Sequence, residues 1–236
     1  MSIASKLQDI LAAKADIKDA INAKGGEVTA ATPLAEYAQA IEDLPSGSDE
    51  WKNNFIALVD GSIQEIDIPA GTTNISPYSF YNKLLTRVTI PSSVKSIGEQ
   101  AFYSGRDLLR NIQIANGLET IGAKAFGVAG FTTIELPDSV KVIGDYAFFF
   151  CYQIERIVIG TGIETIQRGL CGYTRKQNAI IVCKAVMPPT IGIQIFPNNY
   201  TTGKIYVPDA SVNDYKTATN WSTWASYIYP LSEYQP

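Results

Sequence analysis

The sequence predicts a β-rich solenoid of about six rungs of 22–25 residues, with an α-helical segment before it and a C-terminal cap after it. Three observations predict it. From residue 63 a pattern of alternating apolar residues, a Pro or Gly break and an Ala-Phe pair recurs at that period. No single rung holds enough apolar surface to bury its own face, so neighbours must stack. With 46% hydrophobic residues in 236, the chain has the material for one continuous core. The expected division is 1–45 helical anchor or oligomerisation segment, 46–50 linker, 51–203 solenoid opening on a hairpin, and 204–236 aromatic-rich cap.

The first fifty residues carry four Lys and nine acidic residues, net −5, while the other 186 are net +1. That shift, with Ser46-Gly47-Ser48, marks the linker. Within the segment Ile3, Leu7, Ile10, Lys14, Ile17 and Ile21 alternate spacings of four and three. This is a heptad seam, with Ile3, Ile10 and Ile17 at one core position and Leu7, Lys14 and Ile21 at the other. Such a seam favours three or four strands over two, and predicts a homotrimer; a monomeric helical hairpin is the alternative. Gly25-Gly26 stops the first helix, and Thr32-Pro33 opens a second that ends at Pro45.

Phe55 to Val59, then Asp60-Gly61, then Ile63 and Ile66 read as the starting hairpin. The rungs follow. One is Arg87-Val88-Thr89-Ile90-Pro91, then Val94-Lys95-Ser96-Ile97-Gly98, then Ala101-Phe102. The next two repeat it through Ile112, Ile114, Leu118, Ile121, Gly122, Ala125-Phe126, and through Ile134, Leu136, Val140, Ile143, Gly144, Ala147-Phe148. Looser rungs lie before (Ile66, Ile68, Ile75, Phe80) and after (Ile157, Ile159, Ile163, Ile166, then Leu170-Cys171; and Ile180 to Val182, Ile191, Phe196). Val-x-Ile alternation makes a short strand with one buried face, and the chain turns at the following glycine. Lys95, Glu119, Lys141 and Glu164 share one repeat position with alternating sign, so stacking sets opposite charges side by side.

The rung Val-x-Ile-Pro-x-x-Val-x-x-Ile-Gly-x-x-Ala-Phe resembles the bacterial leucine-rich repeat of the BspA, or Treponema, type over about residues 63–203. The resemblance implies a leucine-rich repeat solenoid, a place mostly on bacterial surfaces, roles in adhesion and protein or glycan binding, and no catalytic residues. Val207-Pro208 followed by Val212, Tyr215-Lys216, Ala218 and Trp221 resembles the cap that often closes such arrays. Lys6-Leu7-Gln8-Asp9-Ile10, Asp16-Ile17-Lys18-Asp19-Ala20-Ile21 and Thr32-Pro33-Leu34-Ala35-Glu36-Tyr37 resemble an N-terminal module of structural proteins of tailed phages and prophages of gut bacteria. This implies a virion protein made in the bacterial cytoplasm: a fibre, tail or head decoration. Its helices would hold other virion proteins while its repeat meets a bacterial surface glycan or protein. The alternative is a cell-surface adhesin of a gut bacterium.

Solenoids bind along their exposed sheet, so Arg87, Asn111, Gln113, Glu135 and Arg156, facing outward on successive first strands, are the expected recognition row. The seven aromatic residues Tyr206, Tyr215, Trp221, Trp224, Tyr227, Tyr229 and Tyr234 form either a sugar-binding platform or, the favoured reading, the cover of the last rung.

Composition narrows the chemistry. The chain has no histidine, which removes Ser-His-Asp and Cys-His nucleophiles, histidine zinc sites and the imidazole base. No catalytic, metal or cofactor residues are expected. Cys151, Cys171 and Cys183 form no Cys-x-x-Cys and read as three reduced, buried thiols. A net charge of −4 gives no footprint for nucleic acid, and no apolar run reaches the ~18 residues of a membrane span. The N-terminus is amphipathic and a poor signal peptide, so classical secretion from Met1 is not expected. A carboxylate pair alone can hydrolyse a glycoside, which leaves a glycan-degrading fibre enzyme as a remote alternative. Glu65 and Asp67 lie on an edge rung, and Glu135 has Arg156 as its diagonal neighbour. Gly160-Thr161-Gly162 reads as a turn.

Overall fold

The computed structural model describes residues 64–104, 107–172, 178–193 and 203–235. The heptad residues Ile3, Leu7, Ile10, Ile17 and Ile21, the linker, the start of the hairpin at Phe55 to Val59, and Phe196 lie outside the described residues.

Each rung contributes a longer strand and a two-residue strand. The longer ones are β1 (Glu65–Asp67), β3 (Arg87–Ile90), β5 (Asn111–Ile114), β7 (Thr133–Glu135), β9 (Arg156–Ile159), β11 (Ile180–Cys183) and β13 (Lys204–Val207), with β14 (Ile228–Pro230) beyond. The short ones are β2 (Asn74–Ile75), β4 (Ser96–Ile97), β6 (Thr120–Ile121), β8 (Val142–Ile143), β10 (Thr165–Ile166) and β12 (Thr190–Ile191). All pairings among the described residues are parallel, and the repeat register holds: Val88 sits beside Ile112, Ile97 beside Ile121, and Ile121 beside Ile143. The short strands form one unbroken six-stranded sheet. The longer strands do not. They form a three-stranded sheet, β1-β3-β5, and a five-stranded sheet, β7-β9-β11-β13-β14, with no pairing between β5 and β7.

The core is the apolar column the repeat implies. Val88, Ile90, Val94, Ile97, Leu118, Ile121, Val140 and Ile143 are buried from rung to rung. At the third corner Ser79-Phe80 and the three Ala-Phe pairs bring four rings into a near-parallel stack: Phe80–Phe102 at 5.1 Å, Phe102–Phe126 at 5.6 Å and Phe126–Phe148 at 5.8 Å between centroids. Phe131 closes on this stack edge-on, 6.3 Å from Phe126 and 6.1 Å from Phe148. Cys171 takes the next position after Phe148 and is buried, as are Cys151 and Cys183.

The glycine that follows β4, β6 and β8 has a reason other than the turn expected of it. A Cβ on Gly98, Gly122 or Gly144 would meet backbone atoms of the preceding rung at 2.4, 2.7 and 2.7 Å, so close stacking excludes a side chain there. The left-handed turn falls three residues after the last strand residue, on Tyr78, Gln100, Lys124 and Tyr146, with φ of 59°, 50°, 51° and 55°. The price in backbone strain is met by hydrogen bonds to the next rung, such as Tyr78 N–H to Glu99 C=O at 2.9 Å and Lys124 N–H to Asp145 C=O at 2.9 Å.

After β13 come a short 3-10 turn (Asp209–Ser211), α1 (Val212–Thr217) and a longer 3-10 stretch (Trp221–Tyr227). Tyr215 and Trp221 are fully buried and packed edge to face at 4.9 Å. The Tyr215 hydroxyl donates to Ala185 C=O at 2.8 Å, and Trp221 Nε1–H donates to Pro189 C=O at 2.8 Å. Both rings are thereby tied to the sixth rung and removed from any open sugar-binding surface.

Candidate recognition face

The outward side chains of the longer strands stand in a row, because parallel stacking places equivalent residues side by side. Their environments differ along it. Arg87 is committed within the chain: Nε donates to Glu65 Oε2 at 3.0 Å, and Nη1 to Asp67 Oδ1 at 2.9 Å and Thr89 Oγ1 at 2.9 Å. The Thr89 hydroxyl, then the Arg87 guanidinium, hold the Asp67 carboxyl below its ordinary value, so Asp67 is an ionised partner and a poor proton donor. The adjacent outward carboxylates Glu65 and Asp67 are thus held by a single guanidinium.

Arg156, at the other end, lies 3.9 Å from Glu135 and donates from Nη1 to the Tyr234 hydroxyl at 2.8 Å. The C-terminal residues fold over the outer face of β9, β11 and β13. There Val158, which the alternation of β9 places on the outer face with Arg156, is only 7% exposed and joins Val182 and Tyr206 in a second apolar cluster with Leu231 and Tyr234. The exposed row is therefore shorter than the alternation of the strands suggests.

Between the two arginines lie Asn111 and Gln113 on β5 and Glu135 on β7, all exposed. Asn111 and Gln113 make no side-chain bond with the described residues, so their amides face solvent with full capacity to donate and accept. This polar centre coincides with the break between the two sheets. The alternation of β5 and β7 gives no sign of the break, and nothing in the repeat marks Lys83 as buried. That residue is 6% exposed against Phe80, Leu85, Phe102 and Leu109, and burial lowers its amine below the ordinary lysine value. The space around it is too closely packed to take a bound molecule.

Three members of the expected charge ladder pair: Glu119 lies 3.0 Å from Lys141 and 4.0 Å from Lys95, while Glu164 forms no ion pair with Lys141 within 4 Å. The ladder runs along the other sheet and faces no uncommitted group of the row. Burial pushes the Cys171 thiol up to about 12 and raises Cys151 and Cys183 as well, which keeps all three protonated and weakly nucleophilic. Among the described residues no three His, Cys, Asp or Glu side chains gather to hold a metal ion, and no helix is long and apolar enough to cross a membrane.

Comparison with known proteins bears on the repeat. A crystal structure of the T. pallidum leucine-rich repeat protein TpLRR is similar at 19% identity and a TM-score of 0.38, over 61% of this chain and 73% of that one. A leucine-rich repeat protein from Bacteroides ovatus is similar at 31% identity and a TM-score of 0.44, over 67% of this chain and 43% of that one. No curated protein matches the chain. The family model of the BspA type leucine rich repeat region matches residues 73–203 in six copies. With more than half its length matched and the rungs in the register that repeat requires, the chain belongs to the BspA type leucine rich repeat family.

Proposed function

We propose that the chain is a non-enzymatic binding protein of a phage or prophage virion, held to the particle by its N-terminal segment and recognising a bacterial surface glycan or protein through the open sheet. The observation that carries the binding reading is the contrast along the row. Arg87 and Arg156 are engaged within the chain, Glu135 is exposed beside Arg156, and Asn111 and Gln113 stand exposed at the centre without a side-chain partner among the described residues. The residues that resemble phage structural proteins support the virion reading, with the seam of Ile3, Leu7, Ile10, Ile17 and Ile21 as the oligomerising, trimeric element. Tyr215 and Trp221, buried against the last rung, support the role of the C-terminal segment as a cap. Family membership favours a second reading, a cell-surface adhesin, because this repeat resembles proteins found mostly on bacterial surfaces.

The test is binding of labelled full-length protein to intact gut-bacterial cells, with and without Asn111→Ala, Gln113→Ala and Glu135→Ala together. At least tenfold weaker binding is expected; undiminished binding overturns the assignment of the face. Mass spectrometry of purified particles and of washed cell envelopes separates virion from adhesin.

A further inference from the structure

We propose that the gap between β5 and β7 is a strand-acceptor slot, which takes an extended peptide segment, apolar at alternate residues, as an added strand of the sheet. The proposal rests on the reading of this sheet as the recognition face and adds the class of ligand.

The gap is wider than the spacing of adjacent strands. β5 and β7 share no pairing and stand largely beyond 8 Å Cα to Cα. One inserted strand needs two sheet spacings, ~9.6 Å. Both walls offer main-chain groups. Asn111 N–H donates to Thr86 C=O and Ala115 N–H to Ile90 C=O, so the odd-numbered residues of β5 are spent on β3. Alternation turns the N–H and C=O of Ile112 and Ile114 toward the gap. Across it, Arg156 N–H donates to Thr132 C=O and Leu136 N–H to Val158 C=O, which spends the even-numbered residues on β9 and turns Thr133 and Glu135 toward the gap.

The floor is apolar. Ile112 and Ile114 are partly exposed, whereas Val88 and Ile90 at the same positions one rung earlier are fully buried. The ends are closed. Gly130 N–H donates to Leu109 C=O at 2.9 Å at one end, and at the other Gly117 N–H donates to Ser139 Oγ at 2.8 Å. Behind the gap β6 and β8 remain paired, so the rungs are hinged and not separated. A ligand that fills this space must present N–H and C=O groups to both sides at strand spacing, place apolar side chains over Ile112 and Ile114, and face polar ones outward past Gln113 and Glu135. Only an extended peptide meets all three conditions.

The probe is the fluorescein-labelled peptide Thr-Arg-Val-Thr-Ile-Pro, the segment that already pairs with the far side of β5, together with a scrambled peptide and one N-methylated at alternate amides. With full-length protein, saturable binding by anisotropy is expected, with slowed amide exchange confined to 111–115 and 132–136. N-methylation should weaken binding at least tenfold. So should Thr133→Pro, which removes a donor facing the gap and none that pairs with β9; if that variant does not fold, the N-methylated peptide carries the test alone. Equal binding of scrambled or N-methylated peptide, exchange at Ile112 and Ile114 as slow in the free protein as in paired strands, or protection that rises with protein concentration alone each overturn the slot. Loss of cell binding by the triple alanine variant with no peptide binding would overturn the slot and leave the recognition face standing.

Discussion

Arg156, on β9 beside the edge strand of the five-stranded sheet, donates a 2.8 Å hydrogen bond to the hydroxyl of Tyr234, 78 residues further along the chain. The contact pins the last residues across the outer face, where Val158, Val182 and Tyr206 would otherwise present an apolar ladder to solvent. Arg156 Nε is buried there without a partner among the described residues, so the guanidinium depends on the bonds its other nitrogens make. Tyr234→Phe is expected to cost about 1 kcal/mol, the net value of one hydrogen bond. Deleting residues 231–236 is expected to do more: dye binding to exposed apolar surface rises and the protein self-associates. Sedimentation of the truncated protein checks this, and a monomer as stable as the full chain would show that the tail covers nothing of consequence.

The Phe stack gives the second prediction. Phe126 has Phe102 at 5.6 Å on one side, Phe148 at 5.8 Å on the other and Phe131 edge-on. Truncation leaves a cavity that stacked neighbours cannot collapse into, because each is fixed by its own rung. Phe126→Ala is expected to cost about 3–5 kcal/mol, measured by urea unfolding. A cost under about 1 kcal/mol would mean the rings do not form the load path of the core.

Gly122 gives the third. A Cβ there would lie 2.7 Å from Gly98 C, 2.8 Å from Glu99 N and 2.9 Å from Ile97 O, all backbone atoms of the preceding rung. Backbone held on both sides by a continuous sheet has little room to shift. Gly122→Ala is expected to destabilise by about 1–3 kcal/mol, although alanine is ordinarily the better residue for a φ that is not left-handed. Gly71, with nothing within 4 Å of its Cβ position, is the contrasting site, where strain at φ 94° is the sole penalty. Thermal melts of the two alanine variants compare them directly.

These residues also show what the sequence disclosed and what it concealed. The Phe stack was legible because Ala-Phe recurs at a constant offset from Ile-Gly, and a constant offset in a stacked repeat means contact. The glycines were visible but their role was not. They exist for the approach of the next rung, while the left-handed turn falls on Tyr78, Gln100, Lys124 and Tyr146, residue types that carry no signal for it. The break between β5 and β7 was hidden because Asn111-Ile112-Gln113-Ile114 alternates just as its neighbours do. The one trace is a longer connection: Tyr103 to Arg110 is eight residues, where Tyr81 to Thr86 and Gly127 to Thr132 are six. Of the expected row, the residue types and their outward positions were readable. Which of them are engaged was not, since the partner of Arg156 comes from the far end of the chain and alternation describes a strand without its neighbours.

The charge ladder makes the last prediction, on pH. The hydrogen bond from Lys141, and then its charge, hold Glu119 below the ordinary carboxylate value. A backbone hydrogen bond from Thr161 does the same for Asp138, and bonds from Ser232 do it for Asp209. A carboxyl with a lower pKa folded than unfolded binds fewer protons when folded, so its stabilisation is present above the unfolded value of ~4 and is lost as pH falls through the folded one. The melting temperature is therefore expected to decline as pH drops below about 4.5. With no histidine in the chain, no imidazole titration interrupts the range from pH 5 to 8. Lys141→Met removes the donor to Glu119, and should raise the pH sensitivity of no group while flattening part of the acid decline. Because these carboxylates are exposed, the flattened part should shrink further in high salt. Melts from pH 2.5 to 7 at two salt concentrations decide it, and a decline that is identical in wild type and variant would show that the ladder orders charges without linking them to folding.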